Sequence, residues 1–169
     1  MTQNPFSPAK FWRESIALII GQLTQGVTPQ KIALSIALGL SLGVFPILGT
    51  TTMLCAIAGL RLKLNQPIIQ LVNWLVYPLQ LALVLVFIRI GEWITHAPHV
   101  SLSIPYLFQK FHESPANFFQ EFGISALRGV IAWLFIAPVL TAVTYAVVLP
   151  SLKKLAAVTA AIANSNNAR

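Results

Sequence analysis

Residues 32–60 read IALSIALGLSLGVFPILGTTTMLCAIAGL, 29 residues in a row without a charge. As one straight helix this run would be about 43 Å long, against a hydrocarbon core of roughly 30 Å. It is also interrupted at its middle by Phe45-Pro46-Ile47-Leu48-Gly49-Thr50, and a proline cannot donate the hydrogen bond that would carry a helix through it. Small residues recur at every fourth position on both sides of the break: Ser35, Gly39 and Gly43 before it, Thr51, Cys55 and Gly59 after it. Each pair, 43 with 51, 39 with 55 and 35 with 59, is centred on Ile47. An antiparallel hairpin turning there would bring two small-residue faces together, which is how membrane helices approach closely. The arms, about 14 and 11 residues, would be roughly 21 and 16 Å long, and neither crosses the core alone. The run therefore reads as a re-entrant helical hairpin, with one tilted, proline-kinked helix as the alternative.

Outward from this run, the sequence alternates apolar segments with short basic ones. Hydrophobic residues make up 56% of the 169 and charged residues only 9%, far from the roughly one quarter charged of soluble domains. A soluble fold of this size could not hide so much apolar surface. The net charge of +7 does not point to nucleic acid, because the basic residues sit at the ends of apolar segments and form no phosphate-tracking patch. That distribution follows the positive-inside rule and favours anionic lipid. A single crossing over 32–60 would leave Lys10, Arg13, Lys31, Arg89, Lys110 and Arg128 on one side and Arg61, Lys63, Lys153, Lys154 and Arg169 on the other, six against five. The fold-back instead places Lys10, Arg13, Lys31, Arg61, Lys63, Lys153, Lys154 and Arg169 inside and Arg89, Lys110 and Arg128 outside, eight against three. The charge bias favours the hairpin.

The remaining segments complete an all-α, polytopic integral membrane protein. Residues 11–25, with Trp12, Ile16, Ile19, Ile20 and Leu23 at helical spacing, predict an amphipathic interfacial helix. Residues 67–90 and 129–149 are long enough to span as transmembrane helices, and residues 91–123 predict an external loop in which Tyr106, Phe108, Phe111, Phe118, Phe119 and Phe122 suggest a short helix on the outer interface. Residues 151–169 predict a basic cytoplasmic tail that continues as an Ala-rich helix before fraying, so that 1–169 form a single membrane domain with both termini cytoplasmic. So few spans can hardly enclose a polar hairpin alone, so a homo-oligomer or a membrane protein partner is expected, with membrane lipids around it.

Polar groups inside these segments are the candidate site. Thr50, Thr51 and Thr52 follow the break, where hydroxyls and unpaired backbone groups gather. Gln66, Gln70, Asn73, Tyr77 and Gln80 are spaced 4, 3, 4 and 3 apart, one face of a helix, with Pro78 freeing a carbonyl one turn back. Trp133, Ala137, Thr141 and Tyr145 form a similar stripe around Pro138. Interrupted hydrophobic segments carrying polar groups mark transport sites, although amides and hydroxyls also hold membrane helices together. The site expected to bind substrate is thus Thr50, Thr51, Thr52, Gln70, Asn73, Tyr77 and Gln80, with Gly39, Gly43, Pro46, Gly49 and Pro78 as structural residues. Arg89 and Glu92 read as an interfacial helix pair, and His96, His99 and His112 have no metal-ligand pattern. One cysteine, Cys55, excludes an internal disulfide. No metal, cofactor or catalytic residue is expected, since Glu14, Glu92, Glu113 and Glu121 all lie outside the apolar cores. The reading is of a non-enzymatic small transporter, or a facilitator of lipid or solute movement, with a membrane scaffold or accessory subunit as the alternative.

Gly43-Val44-Phe45-Pro46-Ile47-Leu48-Gly49-Thr50-Thr51-Thr52, then Leu64-Asn65-Gln66-Pro67, then Asn73 and Pro78, resembles a family of small bacterial membrane proteins known as a domain of unknown function. The resemblance covers roughly residues 31–93. It implies a protein of the bacterial cytoplasmic membrane and brings no activity with it. Members usually carry Asn before the second proline and Thr two residues after it, where this chain has Tyr77 and Gln80.

Overall fold

The computed structural model describes residues 28–100 and 103–167. The interfacial helix expected over 11–25 lies outside them. Among the described residues the fold is all-helical, with six helices: α1 (Pro29–Gly43), α2 (Thr51–Arg61), α3 (Gln66–Leu75), α4 (Tyr77–Ile94), α5 (Ile104–Glu113) and α6 (Pro115–Asn167).

Local chemistry sets most of these boundaries. Thr28 caps α1 through its side chain, and Pro29 occupies the first turn, where its missing N–H is no loss. At the other end Phe45 N–H turns to the Leu42 carbonyl at 3.1 Å, a tightening that precedes Pro46 and stops the helix. Gly49, with φ +83°, supplies the left-handed step that reverses the chain. A Schellman closure ends α2: Lys63 has φ 52°, and Leu64 N–H donates to the Gly59 carbonyl at 2.8 Å. Asn65 then caps α3 by accepting from Ile68 N–H at 3.1 Å. The same closure ends α4 at His96, where Ala97 N–H donates to the Glu92 carbonyl at 3.0 Å.

Cross-chain contacts fix the arrangement. Asn65 N–H donates to Ser35 Oγ at 3.1 Å, which brings the far end of α2 back beside the start of α1. The two helices are therefore antiparallel. α3 runs back along both of them, and α6 packs antiparallel to α1 and against α4. Gly129 sits beside Pro46 and Ile88, so the turn between α1 and α2 meets α4 and α6 partway along their length.

The structure departs from the sequence reading in several places. α1 and α2 do touch, but the glycines of the two stripes do not face one another. Instead, Gly39 faces the Ile69 carbonyl and Val72, Gly43 faces Asn73 and Val76, and Gly59 on the other arm faces the Gln66 side chain. Both arms thus leave room for α3, whose glutamines bond to α2 carbonyls that a second small-residue face could not reach. The single helix expected over 67–90 is two helices meeting at Val76, because Pro78 cannot donate to the Trp74 carbonyl. Within the external segment expected over 91–123, the expected short helix is α5, joined by the end of α4 and the start of α6, and the Ala-rich helix expected in the tail from 151 is continuous with α6 to Asn167. Pro138 and Pro150 do not interrupt that helix.

Among the described residues, two helices are long and apolar enough to cross a membrane, Tyr77–Ile94 and Pro115–Ala157. Their outward faces are apolar: Leu81, Leu85 and Val86 on α4 and Phe135, Val139, Val143 and Val147 on α6 are exposed, as are Trp74 and Leu75 on α3. A continuous exposed apolar surface of this kind marks contact with lipid or protein rather than water. The buried core is correspondingly thin, with Val44, Phe87 and Ala132 in one cluster and Cys55, Leu64 and Ile69 in another.

Candidate functional site

The break between α1 and α2 exposes carbonyls that a continuous helix would satisfy. Because Phe45 N–H tightens onto Leu42, the Ser41 carbonyl loses its usual partner. It accepts instead from Trp133 Nε1 of α6 at 2.9 Å. The Phe45 carbonyl, held next to Pro46, accepts from Gln80 Nε2 of α4 at 2.8 Å. Inside the turn, Thr50 Oγ1 donates to the Ile47 carbonyl at 2.8 Å. Three side chains from three elements thus close a backbone gap that buried surroundings would otherwise leave costly.

A second set of amides ties α3 to α2. Gln66 Nε2 donates to the Ala56 carbonyl at 3.0 Å, and one turn on, Gln70 Nε2 donates to the Thr52 carbonyl at 3.0 Å. Asn73 continues the row, its Nδ2 donating to Thr52 Oγ1 at 3.3 Å and Gln70 Oε1 at 3.4 Å. The polar stripe read from the 4-3-4-3 spacing therefore faces the hairpin, with one exception. Tyr77 is half exposed, although Gln80, three residues on, is back on the buried face. Of the three threonines, Thr52 meets the amides, Thr51 is buried and Thr50 closes the turn.

Two amide oxygens in this region have no partner. Asn73, 3% exposed, leaves Oδ1 unpaired, and Gln80, fully buried, leaves Oε1 unpaired. Turning the Asn73 amide over would orphan its nitrogen instead, and turning Gln80 over would set oxygen against the Phe45 carbonyl. Gly43 opens the space at Asn73: a Cβ there would stand 3.3 Å from Oδ1. Buried, unpaired acceptors are uncommon. Here two lie near the same helix break.

Two polar centres escaped the sequence reading. Ser41 is a hub, its Oγ donating to the Ala37 carbonyl at 2.9 Å while Thr141 Oγ1 lies 2.7 Å away. The stripe on 133–145 was visible, but nothing in the sequence tied it to a serine about a hundred residues earlier. Glu92 is fully buried and anchors the loop after α4, accepting from Arg89 at 2.7 Å and from Val100 N–H at 3.1 Å, with His99 Nδ1 at 2.8 Å. The spacing of three between Arg89 and Glu92 indicated the first partner only.

No curated protein and no solved structure matches the chain. Residues 18–159 match the family described as "Uncharacterized protein conserved in bacteria (DUF2062)", and the chain belongs to that family.

Proposed function

We propose that this chain is a non-enzymatic, multi-pass protein of the bacterial cytoplasmic membrane that moves, or eases the movement of, a neutral or zwitterionic lipid or solute. The observation that carries the reading is the pair of unpaired buried amide oxygens, Asn73 Oδ1 and Gln80 Oε1, beside a helix break. Broken helices with polar groups at depth are how transporters build a binding site in lipid. Among the described residues no charged side chain stands with these groups to pair with an ion. α1, with 15 residues, is about 22 Å long, short of a roughly 30 Å core. That length, with the Ser35 to Asn65 contact, supports a re-entrant hairpin entering from the side that carries Lys31, Arg61 and Lys63.

Topology is tested by single-cysteine labelling in a Cys55→Ser background. Positions 30, 63 and 155 should react only from the cytoplasm and position 105 only from outside. Reaction of position 63 from outside would falsify the re-entrant hairpin.

Function is tested in liposomes by scrambling of headgroup-labelled phosphatidylcholine and by glycerol entry. Asn73→Leu should abolish whichever activity the native chain shows while leaving the melting temperature nearly unchanged. The bonds it removes are long, it relieves an unpaired acceptor, and such contacts average only about 0.6 kcal/mol in membrane proteins. Neither activity in the native chain would count against the reading.

A scaffold reading has its own supporting observation. Gln66, Gln70 and Gln80 each donate to a backbone carbonyl of the hairpin, as structural staples do. Under that reading Asn73→Leu lowers stability and any activity falls only in step. A homo-oligomer or a membrane protein partner, expected from the small number of spans, fits either reading.

A further inference from the structure

A groove of about 510 Å³ runs between α1 and α6, away from the Asn73 side of the hairpin and within the size range of small-molecule sites. Its walls are apolar, among them Leu34, Leu38 and Leu42 of α1 and Leu134, Pro138 and Ala142 of α6. The polar atoms on its floor are already engaged. Trp133 Nε1 is bound to the Ser41 carbonyl, and the Thr141 and Ser41 hydroxyls are linked to each other and to the Ala37 carbonyl. An occupant therefore needs no hydrogen bonds there, and a hydrocarbon chain suits the floor as well as the walls.

Charge says which hydrocarbon. α1 and α6 are antiparallel, so Leu34 and Tyr145 mark one end of the groove. Lys31 stands one turn beyond Leu34 and Lys153 two turns beyond Tyr145, both exposed, with Lys154 beside them. The described acids, Glu92, Glu113 and Glu121, belong to the opposite end of the fold. We infer that the α1–α6 groove holds one acyl chain of an anionic phospholipid whose phosphate lies between Lys31 and Lys153. Transfer of a chain from bilayer to groove brings no hydrophobic gain. Preference arises from packing and from the lysines. The inference rests on the membrane reading of α4 and α6 but not on the Asn73 site.

The test uses the full chain, exposed in mild detergent to equal parts of phosphatidylglycerol and phosphatidylcholine with the same acyl chains, then native mass spectrometry. The native protein should retain phosphatidylglycerol in preference. Lys31→Gln and Lys153→Gln should each reduce that preference by about fivefold, the factor expected per lysine near an anionic lipid. Ala142→Trp, at an exposed groove wall, should expel both lipids. Photo-crosslinking from a benzoylphenylalanine at Leu38, in an otherwise unchanged chain, gives an answer that does not depend on that variant folding, and a lipid adduct is expected. Equal retention of the two lipids, unchanged retention in Ala142→Trp, or a crosslink to residues 11–25 or to a second copy overturns the inference. A native chain recovered in the soluble fraction would sink the membrane reading itself, a different failure.

Discussion

Gly91→Ala should unseat α4 from α6 and lower the melting temperature in detergent by several degrees or more. A methyl group at position 91 would fall on the carbonyl carbon and oxygen of Arg128, backbone atoms of α6 that cannot rotate away. Overpacking against movable side chains costs about 1–3 kcal/mol, and a fixed backbone places this case at or above the upper end. For a chain of this size each kcal/mol is worth roughly 2–4 °C. Gly123→Ala is the matched control: nothing lies within 4 Å of a Cβ there, and removing a glycine from a helix interior is worth about 0.5–1 kcal/mol in the opposite direction. Thermal melts of the two variants should therefore move apart. Coincident melts would mean that α4 and α6 do not approach as closely as described. Gly39→Leu and Gly43→Leu should also destabilise, now by pushing α3 away, while Leu40→Ile on a neighbouring face changes little.

How much of this was legible in the sequence depended on whether a feature is local. The break at Pro46, the reversal at Gly49 and the polar face through Gln66, Gln70, Asn73 and Gln80 follow from proline chemistry and a 3.6-residue period, and all of them are in the structure. Periodicity identifies a face but not its partner. Ser35, Gly39 and Gly43 mirror Thr51, Cys55 and Gly59 about Ile47, which suggests that the two stripes oppose each other, yet the space at Gly39 and Gly43 is taken by α3. Trp133 and Ser41 are 92 residues apart, beyond any helical repeat. Tyr77 falls on the stripe by spacing yet is half exposed, while Gln80 beyond it keeps the period. The spacing of Tyr106, Phe108, Phe111, Phe118, Phe119 and Phe122 indicated a short helix after residue 90, and helices do occupy that stretch, from Ile104 to Glu113 and from Pro115 onward.

The last expectation separates a staple from a site within the same polar row. Gln80→Leu should cost about 1–3 kcal/mol, because it removes the donor 2.8 Å from the part-buried Phe45 carbonyl. Leucine fills nearly the same volume and removes the unpaired Oε1, so the loss measures the carbonyl rather than a cavity. Gln70→Leu should cost less: the Thr52 carbonyl that it caps belongs to the first turn of α2, and the contact is exposed. Melting temperatures of Gln80→Leu, Gln70→Leu and Asn73→Leu should therefore fall in that order, with the first well below the native chain and the last close to it. If Gln80→Leu melts like the native protein, the Phe45 carbonyl has found water or another donor, and the break is wet rather than sealed. That result would remove the physical reason for treating Gln80 as structural, and Gln80 would join Asn73 as a group available to a cargo. If instead Gln80→Leu destabilises and Asn73→Leu does not, the unpaired oxygen of Asn73 contributes nothing to holding the helices together, and its burial beside the break needs a ligand to account for it.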